Sequence, residues 1–266
     1  MTSWGGNIVK IGAQYHMYVA EMALDCPLRD WGHNSLVTHA VSNTPVGPFQ
    51  RQDTALAPWS HNPQVVMDNS TSPPTFVLFH IGSGEGGHPT NCTQPSPRAP
   101  APSASTAGST LHTATNPSGP WTPIPSAPKS CNNPSPFLNA NGTWFLVCGS
   151  STLYRASTYK GPWTQVSTLP RSGIHANYED AFLFMDTNDN FHVLFHLYNA
   201  TTPVCRFMCS TLCSGHDFSK DGYTWYSSSV QPYSQQYTLT NGTTVTPSTR
   251  ERPKVYVRLR GAEQVV

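Results

Sequence analysis

The sequence predicts an all-β fold, a β-propeller formed as one domain from five repeats across residues 1–266. Three observations point there. Apolar runs of four to eight residues are separated by Gly-, Pro- and Asn-rich turns, the pattern of strands, and no segment holds a helical period over three turns. Polar or Pro-containing turns lead into hairpins five times, at starts near residues 4, 62, 133, 179 and 251. Units close on Gly-Pro followed by an aromatic, at Gly47-Pro48-Phe49, Gly119-Pro120-Trp121 and Gly161-Pro162-Trp163. The spacing is too uneven for a parallel solenoid, whereas a propeller tolerates insertions between its strands.

In the first repeat Trp4-Gly5-Gly6 opens onto strands at Asn7 to Ile11, Tyr15 to Glu21 and Leu36 to Val41, interrupted by a mixed excursion from Asp25 to Asn34. His61-Asn62-Pro63 opens the second, with strands at Gln64 to Met67, Phe76 to Ile81 and Leu111 to Thr115. Inside it, residues 94–110 lack apolar bulk, and this Pro/Ser/Ala-rich run reads as a disordered insertion. The third runs from Asn132-Asn133-Pro134 through Phe137-Leu138, Trp144 to Cys148 and Leu153 to Ser157. The fourth has Tyr178-Glu179-Asp180, then Ala181 to Met185 and Phe191 to Tyr198, and closes over Phe218 to Trp225. A fifth begins at Arg250-Glu251-Arg252-Pro253 and is short: 14 residues follow Arg252, against about 30 for four strands and their turns. The strongest hairpin turns are Asn141-Gly142 and Asn241-Gly242.

Composition narrows the partners. Charged residues make up 11% of the chain and the formal net charge is +1. That balance excludes the basic footprint of a nucleic-acid binder and a polybasic membrane patch. No apolar run reaches the roughly 20 residues of a membrane span. Seven cysteines, low charge and Asn-x-Ser/Thr sequons at Asn69, Asn91, Asn141, Asn199 and Asn241 predict a secreted, disulfide-bonded glycoprotein. The first residues do not form a signal peptide, so the chain is expected to derive from a longer precursor. A monomer is expected.

The sequences His61-Asn62-Pro63-Gln64-Val65-Val66, Tyr178-Glu179-Asp180-Ala181-Phe182, Gly215-His216-Asp217-Phe218-Ser219 and Arg250-Glu251-Arg252-Pro253-Lys254 resemble the repeat starts of glycoside hydrolase family 43 and its relatives. The resemblance covers most of the chain and is strongest to a poorly characterised secreted branch. It implies a five-bladed β-propeller, here with the fifth blade incomplete, and a polysaccharide or other glycan held at the axial mouth. It also implies three acids: an Asp base in the first blade, a pKa-tuning Asp in the third, and a Glu acid in the fourth. Glu179 falls on the acid. The other two positions depart from the pattern, reading Trp4-Gly5-Gly6-Asn7 and Asn132-Asn133-Pro134, and an amide takes no proton from water. The chain is therefore expected to be a glycosidase-like propeller with Glu179 as general acid and no assigned base. The alternative is an inactive propeller that binds carbohydrate or protein.

Substrate contacts are expected from Trp4, His61, Asn62, Asn133, Tyr178, Asp180, His196, Glu251 and Arg252. Rings such as Trp4, Trp31, Trp59 and Tyr178 suit the C–H faces of a sugar, whereas Trp121, Trp163 and Trp225 recur at repeat ends and read as packing between blades. Asp180 adjoins Glu179, and adjacent strand residues face opposite sides unless the turn is irregular. Glu179 and Glu251 have a second reading as ion-pair partners of Arg250 and Arg252. His61, His80, His175 and His196 converge on a sugar or ion in one reading and bond to loop backbone in the other. No tight His/Cys ligand spacing is present, so neither a metal nor a cofactor is implied. Ser219-Lys220-Asp221-Gly222-Tyr223-Thr224-Trp225 is similar to the Asp-box of sialidases, a structural turn, shortened by one residue. Cys26, Cys92, Cys131, Cys148, Cys205, Cys209 and Cys213 are expected to pair as disulfides with one thiol left over.

Overall fold

The computed structural model describes residues 3–84, 86, 89, 91–92, 109–125, 128, 131–149, 151–170, 177–198, 214–247 and 250–255. The protein is nearly all β, its sheets arranged as a propeller, with four four-stranded blades among the described residues. Blade one is β1 (Ser3–Ile11), β2 (Gln14–Met22), β3 (Ser35–Ser42) and β4 (Gln50–Leu56) in spatial sequence. Blade two is β5 (His61–Asp68), β6 (Thr75–Ile81), β7 (Ser109–Ala114) and β8 (Thr122–Ile124). Blade three is β9 (Ser135–Leu138), β10 (Trp144–Cys148), β11 (Thr152–Ala156) and β12 (Thr164–Thr168). Blade four is β13 (Asn177–Met185), β14 (Phe191–Tyr198), β15 (Ser214–Ser219) and β16 (Trp225–Ser227). A two-stranded ribbon, β17 (Tyr237–Thr238) and β18 (Thr244–Val245), turns at Asn241-Gly242. Among the described residues no helix is long and apolar enough to cross a membrane.

The chain divides into two compact units. The first takes in Met1–Phe145, Arg155–Thr164 and Val255–Val266; the second takes in Leu146–Tyr154 and Gln165–Lys254. Within the first, Val9, Tyr18, Val37, Leu56, Val65, Phe76 and Leu78 form one buried cluster joining blades one and two. The Asn7 side chain ties the inner strands of those blades, donating to the Val65 carbonyl at 2.8 Å and accepting its N–H at 2.8 Å.

The Gly-Pro-aromatic signals act as predicted. Gly47, Gly119 and Gly161 have φ of +81°, +90° and +82°, a region that L side chains avoid, and each precedes a cis proline. After the second and third of these the aromatic ring turns back onto the preceding blade. Trp121 meets Tyr18 edge-on at 5.7 Å, and Trp163 meets Phe79 edge-on at 6.2 Å. In the second unit Trp225 Nε1 donates to Ser167 Oγ and to the Gly222 carbonyl. The shortened Asp-box is a turn here: Asp221 Oδ1 accepts the N–H groups of Tyr223 and Thr224, while Ser219 Oγ accepts that of Gly222.

The excursion between β2 and β3 holds two single-turn 3-10 segments and the four-residue helix Trp31–Asn34. Cys26 and Cys92 anchor it with a disulfide, and Cys131 and Cys148 are also disulfide-bonded. Cys205, Cys209 and Cys213, the 94–108 part of the Pro/Ser/Ala-rich insertion, and His175 lie outside the described residues.

Candidate functional site

The start of each repeat carries the same backbone device. Gly5, Asn62, Asn133, Asp180 and Arg252 have φ of +62°, +51°, +46°, +57° and +56°. A left-handed non-glycine residue is uncommon, and its recurrence at four of the five matching places, with a glycine at the other, marks a constraint of the fold. Strand pairing is interrupted at the same points, between Trp4 and Asn7, His61 and Gln64, and Glu179 and Phe182. The bulge re-aims the residues around it. Glu179 and Asp180 consequently do not diverge as adjacent strand residues would. Donor atoms of Glu179, Asp180 and His196 lie within 4.8 Å of one another, with Glu179 paired across the ladder to His196.

Three side chains of the fifth repeat complete this cluster within the second unit. Arg252 Nη1 lies 3.0 Å from Asp180 Oδ1, with the two side chains 12% and 2% exposed. Glu251 is half-buried, and its pKa is raised, chiefly by burial and further by the Asp180 charge, against the opposing pull of Arg252. Lys254 Nζ sits 4.8 Å from the Phe182 ring centre. Burial brings its pKa down to about 7, with Asp180 raising it and Arg252 lowering it further. His196 is held below the ordinary imidazole value, first by burial and then by Arg252, with Asp180 opposing. The Glu179–Asp180–His196 spacing is one that a divalent cation accepts, but the Arg252 guanidinium already supplies the positive charge against Asp180. Among the described residues a second His/Cys/Asp/Glu group, Cys26, Asp30 and Cys92, contains a disulfide and offers no thiolates.

In the first unit the residues expected at the site are committed to protein partners. Asn62 and Asn133 are buried, and Asn62 Nδ2 donates to Asn133 Oδ1 at 2.9 Å. His61 is buried beside Ser35 Oγ at 2.8 Å, with its ring 4.9 Å from that of Trp31. Trp4 is half-buried at the start of β1. In the second unit Tyr178 is buried with its ring edge-on to Phe195 at 4.4 Å, a packing position. Arg252 pairs with Asp180, while Arg250 lies over the rings of Tyr233 and Tyr237 and donates to the Ser234 carbonyl.

His61 and His80 each have a protein partner in the first unit. His80 Nδ1 meets the Ile81 carbonyl and its Nε2 meets His112 Nδ1 at 3.0 Å. Sequence reasoning did not anticipate two further pairs, His16 with His39 at 2.8 Å and His192 with His216 at 2.9 Å. Their members stand 23 and 24 residues apart and meet only through strand pairing. Lys254 was also missed as a site residue, its one signal being its place two residues after Arg252.

No family model matches the sequence, and no curated protein matches it. Solved structures do. An exo-β-1,3-galactanase from Phanerochaete chrysosporium, solved with β-1,3-galactotriose, superposes with a TM-score of 0.61 at 14% identity, covering 85% of this chain and 49% of that one. An exo-β-1,3-galactanase from Clostridium thermocellum gives 0.59 at 13% identity, covering 89% and 50%. The fold is that of the family 43 β-propeller. An endo-arabinase from Bacteroides thetaiotaomicron is similar at 0.55 and 12% identity, with 91% of this chain and 88% of that one covered. The chain spans about half the length of the two galactanases.

Proposed function

We propose that this protein is a secreted glycosidase of the family 43 kind, cleaving a polysaccharide with Glu179 as the proton donor. The observation that carries the reading is the bulge at Glu179–Asp180. It holds a half-buried glutamate at the start of the fourth blade's inner strand, beside a carboxylate fixed by Arg252. A donor must deliver its proton as the glycosidic oxygen develops charge. The solved relatives named for galactan and arabinan set the first substrates to try. The Cys26–Cys92 disulfide supports an extracellular setting.

The test is sugar release from β-1,3-galactan, arabinan and xylan by the wild-type protein and by Glu179→Gln. Release by the wild type and its loss in the variant support the reading, and equal release by both overturns the role of Glu179. A second reading, a propeller that binds glycan without cleaving it, is favoured by the Asn62–Asn133 amide pair, since one of these amides stands where the family resemblance calls for a carboxylate. Retention on a glycan array with no sugar release from any of the three polysaccharides would select it.

A further inference from the structure

We propose that Glu251 is the second catalytic carboxylate, the group that accepts the proton of the attacking water; this rests on the hydrolytic reading above. At the five equivalent positions just before the left-handed residue stand Trp4, His61, Asn132, Glu179 and Glu251. Carboxylates thus occur only in the fourth and fifth repeats, which follow one another in the chain.

Geometry joins these two positions. Asp180 and Arg252, the residues immediately after the glutamates, share a left-handed conformation and a 3.0 Å ion pair. The pair withdraws Asp180 from proton transfer, because its charge is buried and balanced by a guanidinium. It also fixes the backbone on which each glutamate is carried. Exposure follows the same division: Asp180 is buried, whereas Glu179 and Glu251 are both half-buried and remain within reach of solvent. The charged groups around Glu251 are Asp180 and Arg252, with Glu179, His196 and Lys254 in the same cluster. Burial and the Asp180 charge raise the Glu251 carboxyl above its ordinary value, which makes its ionised form a stronger base than a surface glutamate.

The step balances. The bond from the anomeric carbon to the leaving sugar's oxygen breaks, and that oxygen takes the Glu179 proton. The oxygen of a water molecule forms the new bond on the opposite face, and its proton passes to Glu251. The anomeric configuration inverts, which calls for carboxyl groups about 6.5–9.5 Å apart.

The experiment compares wild type, Glu179→Gln and Glu251→Gln on the three polysaccharides and on 2,4-dinitrophenyl glycosides of the same sugars, whose leaving group needs no acid. Glu179→Gln is expected to lose about 10²–10⁴-fold on polysaccharide and to keep its activity on the dinitrophenyl glycosides. Glu251→Gln is expected to lose activity on both. Added azide should restore its cleavage of the dinitrophenyl glycosides and yield a glycosyl azide of inverted configuration. Wild-type cleavage of either substrate class by Glu251→Gln overturns the assignment. So does failure of azide to rescue a variant whose Tm matches the wild type. No sugar release by the wild type from any substrate overturns the hydrolytic reading itself, and this assignment with it, so the two failures are distinguishable.

Discussion

Asn133 in the first unit and Asp180 in the second occupy the same backbone position, yet one ends in a neutral amide pair and the other in a buried ion pair. Asn62 and Asn133 are joined by one hydrogen bond between uncharged groups. Asp180 and Arg252 place opposite charges at 3.0 Å and draw Glu179, His196, Glu251 and Lys254 into one electrostatic cluster. The left-handed turn is therefore a property of the fold, and the chemistry is a property of the side chain placed on it.

The largest effect expected from this contrast lies in turnover. Glu179→Gln should lower polysaccharide hydrolysis by about 10²–10⁴-fold, while Asn132→Ala, at the matching place in the third repeat, should leave the rate within about twofold, since an amide has no proton to transfer. Initial rates of reducing-sugar release measure both, and an equal loss in the two variants would erase the distinction between the units.

Stability should divide the same way. Arg252→Met leaves the Asp180 charge buried without its guanidinium and should cost about 3–5 kcal/mol. Asn133→Ala leaves only an amide to be satisfied and should cost about 1–3 kcal/mol. Urea unfolding of each variant reports the difference. A smaller loss for Arg252→Met than for Asn133→Ala would show that the ion pair is not the stronger anchor.

Much of this was legible in the sequence. The Gly-Pro-aromatic endings, the Asn-Gly turns and the five repeat starts announce the blades, because each is a local requirement written in local residues. The outer strands were not legible. Gln50–Leu56 and Thr164–Thr168 are largely exposed, so their mixed polar sequence carries no alternating apolar signal. The site was half legible: Glu179 stood out as an acid at a repeat start, but the alternation of strand side chains set Asp180 on the opposite face. The left-handed turn that brings it back has a non-glycine residue, and nothing in Glu179-Asp180-Ala181 announces one. The pairing of Arg252 with Asp180 joins residues 72 positions apart, and cross-strand histidine pairs are equally invisible to local patterns.

Acid acts with opposite sign on the buried histidines of the first unit and on Glu251. Burial holds His80 at about 3 and His16 and His112 at about 4, against 6.5 for a free imidazole. Their neutral forms contribute stability that is full above pH 6.5 and is lost as pH falls from there towards 4. Glu251 has a raised pKa, so its contribution is full below about 4.5 and is lost as pH rises through its folded value. Hydrogen exchange at pH 7 and pH 4.5 should therefore show β6 and β7 losing protection on acidification more than β13. Equal loss in all three strands would remove the distinction.

The smallest expected effect tests the charged cluster from its cation. Lys254 has a folded-state pKa of about 7, against an ordinary 10.5, so between those values the unfolded chain binds more protons than the folded one. At or below pH 7 the folded state bears the whole cost of a buried ammonium, and that cost shrinks as pH rises towards 10.5. Lys254→Met keeps the length and the contact with Phe182 but removes the charge. It should raise stability at pH 6 by about 0.5–2 kcal/mol, with each kcal/mol read as about 2–4 °C in Tm, and the gain should fade by pH 10. The first unit offers a control, because Asn62→Leu breaks a neutral pair and its effect should not vary with pH over the same range. A gain for Lys254→Met that is independent of pH would mean that the lysine is tolerated for its shape, and that the charge balance of the second unit rests on Asp180 and Arg252 alone.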